Sequence, residues 1–445
     1  MKKTVVLLFV FCVLAGMILA FQTSSDSEKN WPEWRGPYGN GISPDGDFPL
    51  EWSETKNIKW KISIPGKGHS TPIIWGDRIY VSTAVETDRE GKPEVQGEGA
   101  PQGRGMPTTR STKIHKFVVM AINRSDGKIL WQTKVKEEWP QEGTHEFGSW
   151  ASNSPLTDGG NIYAYFGSRG LFCLDMEGTV KWERDFGQLN KRMDFGEGSS
   201  PALYGDKIVV TWDHEGQSFI IALDKKTGKD IWKVDRDEGT SWASPFIVEN
   251  NGKPQVITSA TSLIRSYDLA TGDLIWECAG MTANAIPQPV EANGIVYLMS
   301  GYRGNALLAI RLSAAKGNIT NTEAIIWKFD QDTPYTPSPV IFEDHLYFLK
   351  SNNGILSCFD AKTGKPLYSN QRLEGMGNIF TSPVVASNKI IILGQKGLAY
   401  VIKHGSNFEI LAKNQLDDNF NASPVVVGNQ LFLRGYKNLY CIEEN

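Results

Sequence analysis

The sequence predicts an all-β fold, an eight-bladed β-propeller of four-stranded antiparallel blades closed by an N-terminal strand. A unit of about 40 to 50 residues returns along the chain, the period of a propeller blade. Within each unit, apolar β-rich runs alternate with short polar turns, the pattern of successive hairpins. The last unit ends before its fourth strand could form, and a matching strand stands unused near the other terminus.

Each unit opens on a proline. Thr71-Pro72, Ser154-Pro155, Ser200-Pro201, Ser244-Pro245, Ser338-Pro339, Ser382-Pro383 and Ser423-Pro424 mark seven openings, and the degenerate Gln288-Pro289 fills the one gap of double length. The spacings are 83, 46, 44, 44, 50, 44 and 41 residues, so only the first departs from one blade. After the proline come an apolar run, a turn such as Gly205-Asp206 or Asn293-Gly294, and a second run such as Ile208-Val209-Val210. The third run ends in an acid and a tight turn, as in Leu223-Asp224-Lys225-Lys226-Thr227-Gly228, and the fourth carries an aromatic.

That aromatic recurs as Trp131, Trp182, Trp232, Trp276 and Trp327, with Tyr368 and Leu411 in the sixth and seventh units. The eighth stops at Cys441-Ile442-Glu443, and Asn57-Ile58-Lys59-Trp60-Lys61 supplies the absent strand and its Trp. Trp60 is therefore expected in the last blade, where the strand latches the ring and covers an open sheet edge. The tryptophans are read as packing struts, each laying its apolar body against the neighbouring sheet, with the glycine of Thr-Gly allowing a turn of positive φ.

The 445 residues divide into a leader (1–20), an N-terminal extension (21–56) and the propeller (57–445), with a mobile insertion at about 84–116. Lys2-Lys3 followed by an apolar run to Ala20 reads as a secretory signal with Ala20 a plausible cleavage point, so a periplasmic or secreted protein is expected. The run from Thr4 to Ala20 is short for a membrane span, and none is expected after cleavage. The insertion, rich in Gly, Pro and charge, reads as a solubilising loop or as a flap over the channel. Formal net charge is −4, which offers no electrostatic attraction to nucleic acid.

Cys173, Cys278, Cys358 and Cys441 remain after export. Three of them take the place of Ala222 in the third strand, a small buried slot. With no Cys-x-x-Cys spacing, packed free thiols are expected, without a metal. Chemistry is to be sought on one face, where the loops from strand two to strand three and the connectors between blades surround the mouth of the channel. His145, Glu146, Trp150, Asp213, Trp242, Asn284, Arg303, Tyr335 and Arg434 are the candidate binding residues there. Aromatics mixed with charges and amides offer apolar contact and hydrogen bonds to a partner. No metalloprotease helix, nucleophile elbow or phosphate loop is present, so no catalytic residue is assigned.

The run Ala222-Leu223-Asp224-Lys225-Lys226-Thr227-Gly228-Lys229-Asp230-Ile231-Trp232, with weaker copies at 268–276 and 360–365, resembles the tryptophan-docking repeat of the pyrroloquinoline-quinone (PQQ) propeller superfamily. That superfamily includes quinoprotein alcohol dehydrogenases and the outer-membrane assembly factor BamB. Trp31-Pro32-Glu33-Trp34-Arg35-Gly36-Pro37 is similar to the start of exported bacterial members with no assigned activity. The resemblance implies the scaffold over residues 57–445. The enzymes of the group commonly hold the quinone beneath two adjacent, disulfide-bonded cysteines with calcium near the channel, and this chain has no adjacent cysteine pair and no Cys-x-x-Cys-His. Two readings follow. The first is a monomeric, non-enzymatic exported scaffold, resembling BamB in architecture, that binds an envelope or extracellular protein or a glycan through its mouth and needs no cofactor. The second is a dehydrogenase dependent on PQQ and calcium, with Trp242 or Trp150 stacked on the quinone and Glu146, Asn284 or Asp213 holding the ion.

Overall fold

Eight sheets of four or five strands follow one another in the order of the repeats, and Thr108–Thr109 pairs with Thr144–His145 as a separate two-stranded sheet. In the third, Ala202–Tyr204, Lys207–Trp212, Ser218–Asp224 and Asp230–Arg236 lie side by side and antiparallel, from the channel outward. In the eighth, Val425–Val427, Gln430–Arg434 and Asn438–Ile442 come from the C-terminal end, and Ile58–Ser63 takes the fourth position, antiparallel to the last strand with Trp60 opposite Cys441. The structure is a computed structural model that describes residues 29–91 and 108–444. The expected leader, its cleavage point and the middle of the first-unit insertion lie outside the described residues.

Outer strands are tied to the next blade through the indole. Trp131, Trp182, Trp232, Trp327 and Trp60 donate Nε1–H to the carbonyls of Met176, Lys225, Leu269, Ala361 and Arg124, at 3.0, 3.2, 3.0, 2.9 and 3.0 Å. Each ring lies on the glycine of that same turn. A Cβ added at Gly178, Gly228, Gly272, Gly364 or Gly127 would stand 2.6 to 2.9 Å from ring carbons of the docked Trp. Glycine is needed twice here, for a positive φ and for the approach of the ring. Trp276 is the exception. The fifth-blade turn is enlarged, Gly317–Asn318 adds a parallel strand beside Trp276, and its N–H turns to Gln255 Oε1 at 3.1 Å.

Directly opposite each indole, the third strand carries a small or slender residue. Ala121, Cys173, Ala222, Ser266, Ala309, Cys358, Val401 and Cys441 face Trp131, Trp182, Trp232, Trp276, Trp327, Tyr368, Ala412 and Trp60. The seventh-blade position is thus Ala412; the sequence expectation of Leu411 is one residue out of register, which in a strand moves a side chain to the other face. The four described cysteines are free and buried. Burial pushes the Cys173, Cys358 and Cys441 thiols up to about 12, leaving them protonated and unreactive at neutral pH.

Around the channel the Ser/Thr-Pro openings form a belt. Each Ser or Thr accepts, on its hydroxyl, the backbone N–H of the corresponding residue one blade back: Thr71 to Ser154, Ser154 to Ser200, Ser200 to Ser244, Gln288 to Ser338, Ser338 to Ser382, Ser382 to Ser423, and Ser423 to Thr71, all at 2.9 to 3.1 Å. The last link joins the eighth blade to the first. The belt breaks at Gln288, which has no hydroxyl to offer Ser244.

The N-terminal extension crosses the channel. Trp31 exchanges backbone hydrogen bonds with Ile74 of blade one, Pro32 accepts from Thr157 of blade two, and Arg35 donates to the carbonyls of Pro339 and Pro383 in blades six and seven. Ile42–Ser43 then pairs in parallel with Val385–Ala386, and Ser43 donates to Val426 O of blade eight at 2.8 Å. Phe48 and Trp52 are buried on the way to Ile58. The innermost strands would otherwise present unpaired edges to the channel.

In blade one the second and third strands run to Glu90 and from Lys113, so residues 84–90 and 113–116 belong to the hairpin and not to the loop expected there. Their charges obscured an alternation in which Val85 faces Lys116 and Glu90 pairs with Lys113.

The docking contact can be isolated by two alanine substitutions at positive φ. Gly252 has φ +72° and open space around its added Cβ, whereas Gly272 has φ +81° and the Trp232 ring at 2.8 Å. Gly252→Ala is expected to lose about 1 kcal/mol from the left-handed conformation alone, and Gly272→Ala about 1–3 kcal/mol more from overpacking. Urea denaturation compares them, and equal losses would remove the docking contact as a source of stability.

Candidate functional site

All eight blade connections contribute to a cavity of about 570 Å³ at the mouth of the channel. Trp34 of the crossing segment lines both this cavity and a second one of about 390 Å³ towards the opposite face, so the crossing segment closes off the mouth from below.

Its wall is largely aromatic. Trp242, Phe195, His145, Phe147 and Phe380 form a chain of ring contacts at 6.5, 5.4, 5.4 and 5.4 Å, and Tyr302 stacks on Tyr335 at 5.0 Å. The chain is tied to the backbone at two points: Trp242 Nε1–H donates to Gly196 O at 2.8 Å, and Asn421 Nδ2–H donates to Phe147 O at 2.6 Å. Thus the connector between blades one and two reaches across to the connector between blades seven and eight.

Polar atoms are few and specific. His69 stacks on Tyr436 at 4.7 Å, and its Nε2, like Asn421 Oδ1, is buried without a hydrogen-bond partner. Burial, with Lys67 and Arg434 nearby, holds the His69 imidazole well below its ordinary range, so it is neutral. Asn352 and Asn378 add amides, and Glu146 and Glu197 add carboxyls. The lining contains no Lys or Arg.

Glu197 links this wall to a buried cluster of ionisable groups. Glu197 accepts from Ser168 N–H and Oγ–H at 2.9 and 2.6 Å, and burial raises its pKa against the pull of these bonds. Lys191 donates Nζ–H to the carbonyls of Asp213 and Ser241 at 2.6 and 2.7 Å, and its backbone N–H donates to Glu142 Oε2 at 2.8 Å. Burial, then the neighbouring Glu197, pushes Glu142 up to about 9, and its Oε1 has no partner.

Of the residues expected at the mouth, His145, Glu146, Trp242 and Tyr335 line the cavity. Trp150 stands behind it, against His115 at 4.6 Å, donating to Glu142 O. Asp213 is buried in a two-bond pair with Arg236 and also accepts from Ser241, so its oxygens are already engaged. Asn284 is buried outside the lining, with its backbone N–H on the Thr261 hydroxyl. Arg303 is exposed over the Tyr302 ring, and Arg434 is buried, donating to Ser70, with burial lowering it to about 9. Phe147, Phe195 and Asn421 were not singled out, since nothing in a loop's composition marks which residues turn inward. Trp34 was assigned to an extension outside the ring.

The lining does not fit a quinone held with calcium. Of Glu146, Asn284 and Asp213, only Glu146 reaches the cavity, and PQQ is a polycarboxylate for which the cavity offers no cation.

A family model described as outer membrane protein assembly factor BamB matches residues 115–370, more than half of the chain. The outer membrane protein assembly factor BamB of Yersinia pestis is 20% identical over 336 residues, covering 72% of this chain and 78% of that protein. Among solved structures, BamB of Moraxella catarrhalis aligns with a TM-score of 0.54 at 17% identity, over 81% of this chain and 98% of its own. A quinohemoprotein alcohol dehydrogenase of Comamonas testosteroni aligns with a TM-score of 0.61 at 10% identity, over 95% and 83%. At these identities the structural likenesses establish the fold alone.

The raised Glu142 pKa sets a pH dependence. The folded chain keeps this proton up to about 9, whereas an unfolded chain releases it near 4.5. The contribution to stability is therefore complete below about 4.5 and is lost as pH rises towards 9. Glu142→Gln is expected to flatten the decline in melting temperature from about pH 5 to about pH 9. An unchanged slope would show that Glu142 ionises freely.

Proposed function

The chain belongs to the family described as outer membrane protein assembly factor BamB, and on that premise we propose that it is an exported, non-enzymatic propeller scaffold that binds an envelope protein or a glycan in the mouth cavity. The observation that carries this reading is the aromatic-walled, cation-free pocket built from every blade connection. Aromatic faces supply apolar contact to a side chain or a sugar ring. Asn352, Asn378 and Glu146 of the lining supply hydrogen-bonding groups to a bound partner. The absence of Lys and Arg from the lining favours an uncharged segment over an anion.

The relatives' name ties them to outer membrane protein assembly, which favours a protein of the envelope as the partner. Export rests on the leader-like start of the sequence, and a periplasmic or secreted, monomeric protein is the form in which the mouth is open to such a partner.

A photo-crosslinking residue at Phe380, on the cavity wall, is expected to capture a discrete set of envelope proteins or glycans, while the same residue at Tyr204 on the opposite face captures none of them. Trp242→Ala with Phe147→Ala should reduce capture by about 10-fold or more, the loss expected for two central aromatic anchors. Calorimetric titration with PQQ and calcium supplies the opposite outcome: stoichiometric micromolar binding, followed by dye reduction with an alcohol, would replace the scaffold with an enzyme.

A further inference from the structure

On the face opposite the mouth, the junction between blades six and seven departs from the docking pattern. Tyr368 stands where other outer strands carry Trp, and its ring meets Phe408 at 5.6 Å in place of a glycine. The facing turn, Lys403–Glu409, has no Thr-Gly pair and carries His404 where blade three has Lys225 and blade six has Ala361. All three positions donate backbone N–H to the neighbouring hairpin turn, His404 to Asn388 O, Lys225 to Asp206 O and Ala361 to Asp344 O.

Two imidazoles and a carboxylate meet at this junction. His404 Nε2 lies 3.2 Å from Glu343 Oε2, and His404 Nδ1 lies 2.9 Å from Tyr347 Oη. The His345 ring meets that of His404 edge-on at 4.7 Å, and its Nδ1 is buried without a partner. One donor atom from each of Glu343, His345 and His404 lies within 4.8 Å of the other two, the one such group found among the described residues. Glu343 has φ +53° at a turn position where other blades place Gly76, Gly205, Asn251, Asn293 and Gly428. A glutamate in that conformation is strained, and the turn gains from it a carboxylate aimed at His404.

We propose that Glu343, His345 and His404 form a site for one divalent transition ion of the zinc type, outside the mouth and independent of it. Imidazole nitrogen with carboxylate oxygen is a donor set for zinc and its neighbours. Bonds of 2.0–2.2 Å in a tetrahedron put donors about 3.3–3.5 Å apart. Glu343 and His404 already stand near that separation, and the half-exposed His345 ring closes by rotation. Tyr347 holds His404 Nδ1 and so turns Nε2 towards the ion, the role of an outer hydrogen-bond partner. Three protein ligands leave a fourth position open to water or to a group from a partner.

Calorimetric titration of the leaderless chain with zinc chloride at neutral pH tests this. One equivalent is expected to bind with micromolar or tighter affinity and to raise the melting temperature. Glu343→Gln and His345→Gln, at positions exposed enough to leave the fold intact, should each weaken binding by at least about 10-fold, and Tyr347→Phe should weaken it by about 10-fold through lost orientation. Saturable binding no tighter than about 1 mM, or zinc affinity unchanged in the Glu343 and His345 variants, would overturn the site.

Discussion

The structure depends on one repeated contact: an indole at the end of one blade resting on the glycine of the next blade's turn, its N–H held by a carbonyl in that turn. The contact is apolar, polar and conformational at once. A Cβ on the glycine would collide with the ring, and another residue there would resist the positive φ. Because the Trp sits on one sheet and the glycine on its neighbour, each of the five docked blades fixes the angle of the next. The belt of hydroxyls does the same work at the channel, through N–H groups that would otherwise be buried and unpaired. With rim and hub both tied, the blade connections are held around a common mouth.

The crossing segment decides what that mouth is. A propeller channel is open by construction, and here residues 31–43 make backbone hydrogen bonds to the inner strands of blades one, two and seven. Arg35 gives the segment a central anchor. It is buried against the carbonyls of Asn40, Pro339 and Pro383 without a carboxylate, and burial pulls its pKa down to about 9. A guanidinium with five donors can still satisfy several carbonyls at once, which suits the converging ends of the inner strands. Above it, Trp34 becomes the floor of a pocket, and aromatics from separate connectors form its wall.

Scaffold and site therefore answer to different constraints, as they do on any fold that hosts several functions. The docking repeat explains why the chain aligns both with assembly factors and with quinoprotein dehydrogenases, and it is silent about ligands. The proposed ligand chemistry lies in the departures from the repeat. The mouth is lined by connector residues that the repeat does not specify. The junction of blades six and seven, where Tyr368 meets Phe408 and no Trp docks on a turn glycine, brings histidines together where a docked indole would otherwise lie.

The sequence by itself determined the number of blades, the order of their strands, the outer-strand Trp from the N-terminal end and the small slot filled by cysteines. These are properties of period and local pattern, and both survive in a one-dimensional reading. It misplaced Leu411 for Ala412, because in a weak repeat with no Trp the register is set by pairing with Val401 and not by any local mark. Only the tertiary structure decided that Asp213 is spent on Arg236, that Trp150 stands behind the wall, that Phe147 and Asn421 meet across the mouth, and that Trp34 floors it. Each of these joins residues tens to hundreds of positions apart. Whether a loop side chain turns inward depends on how the closed ring brings its connectors together, and no stretch of sequence carries that information alone.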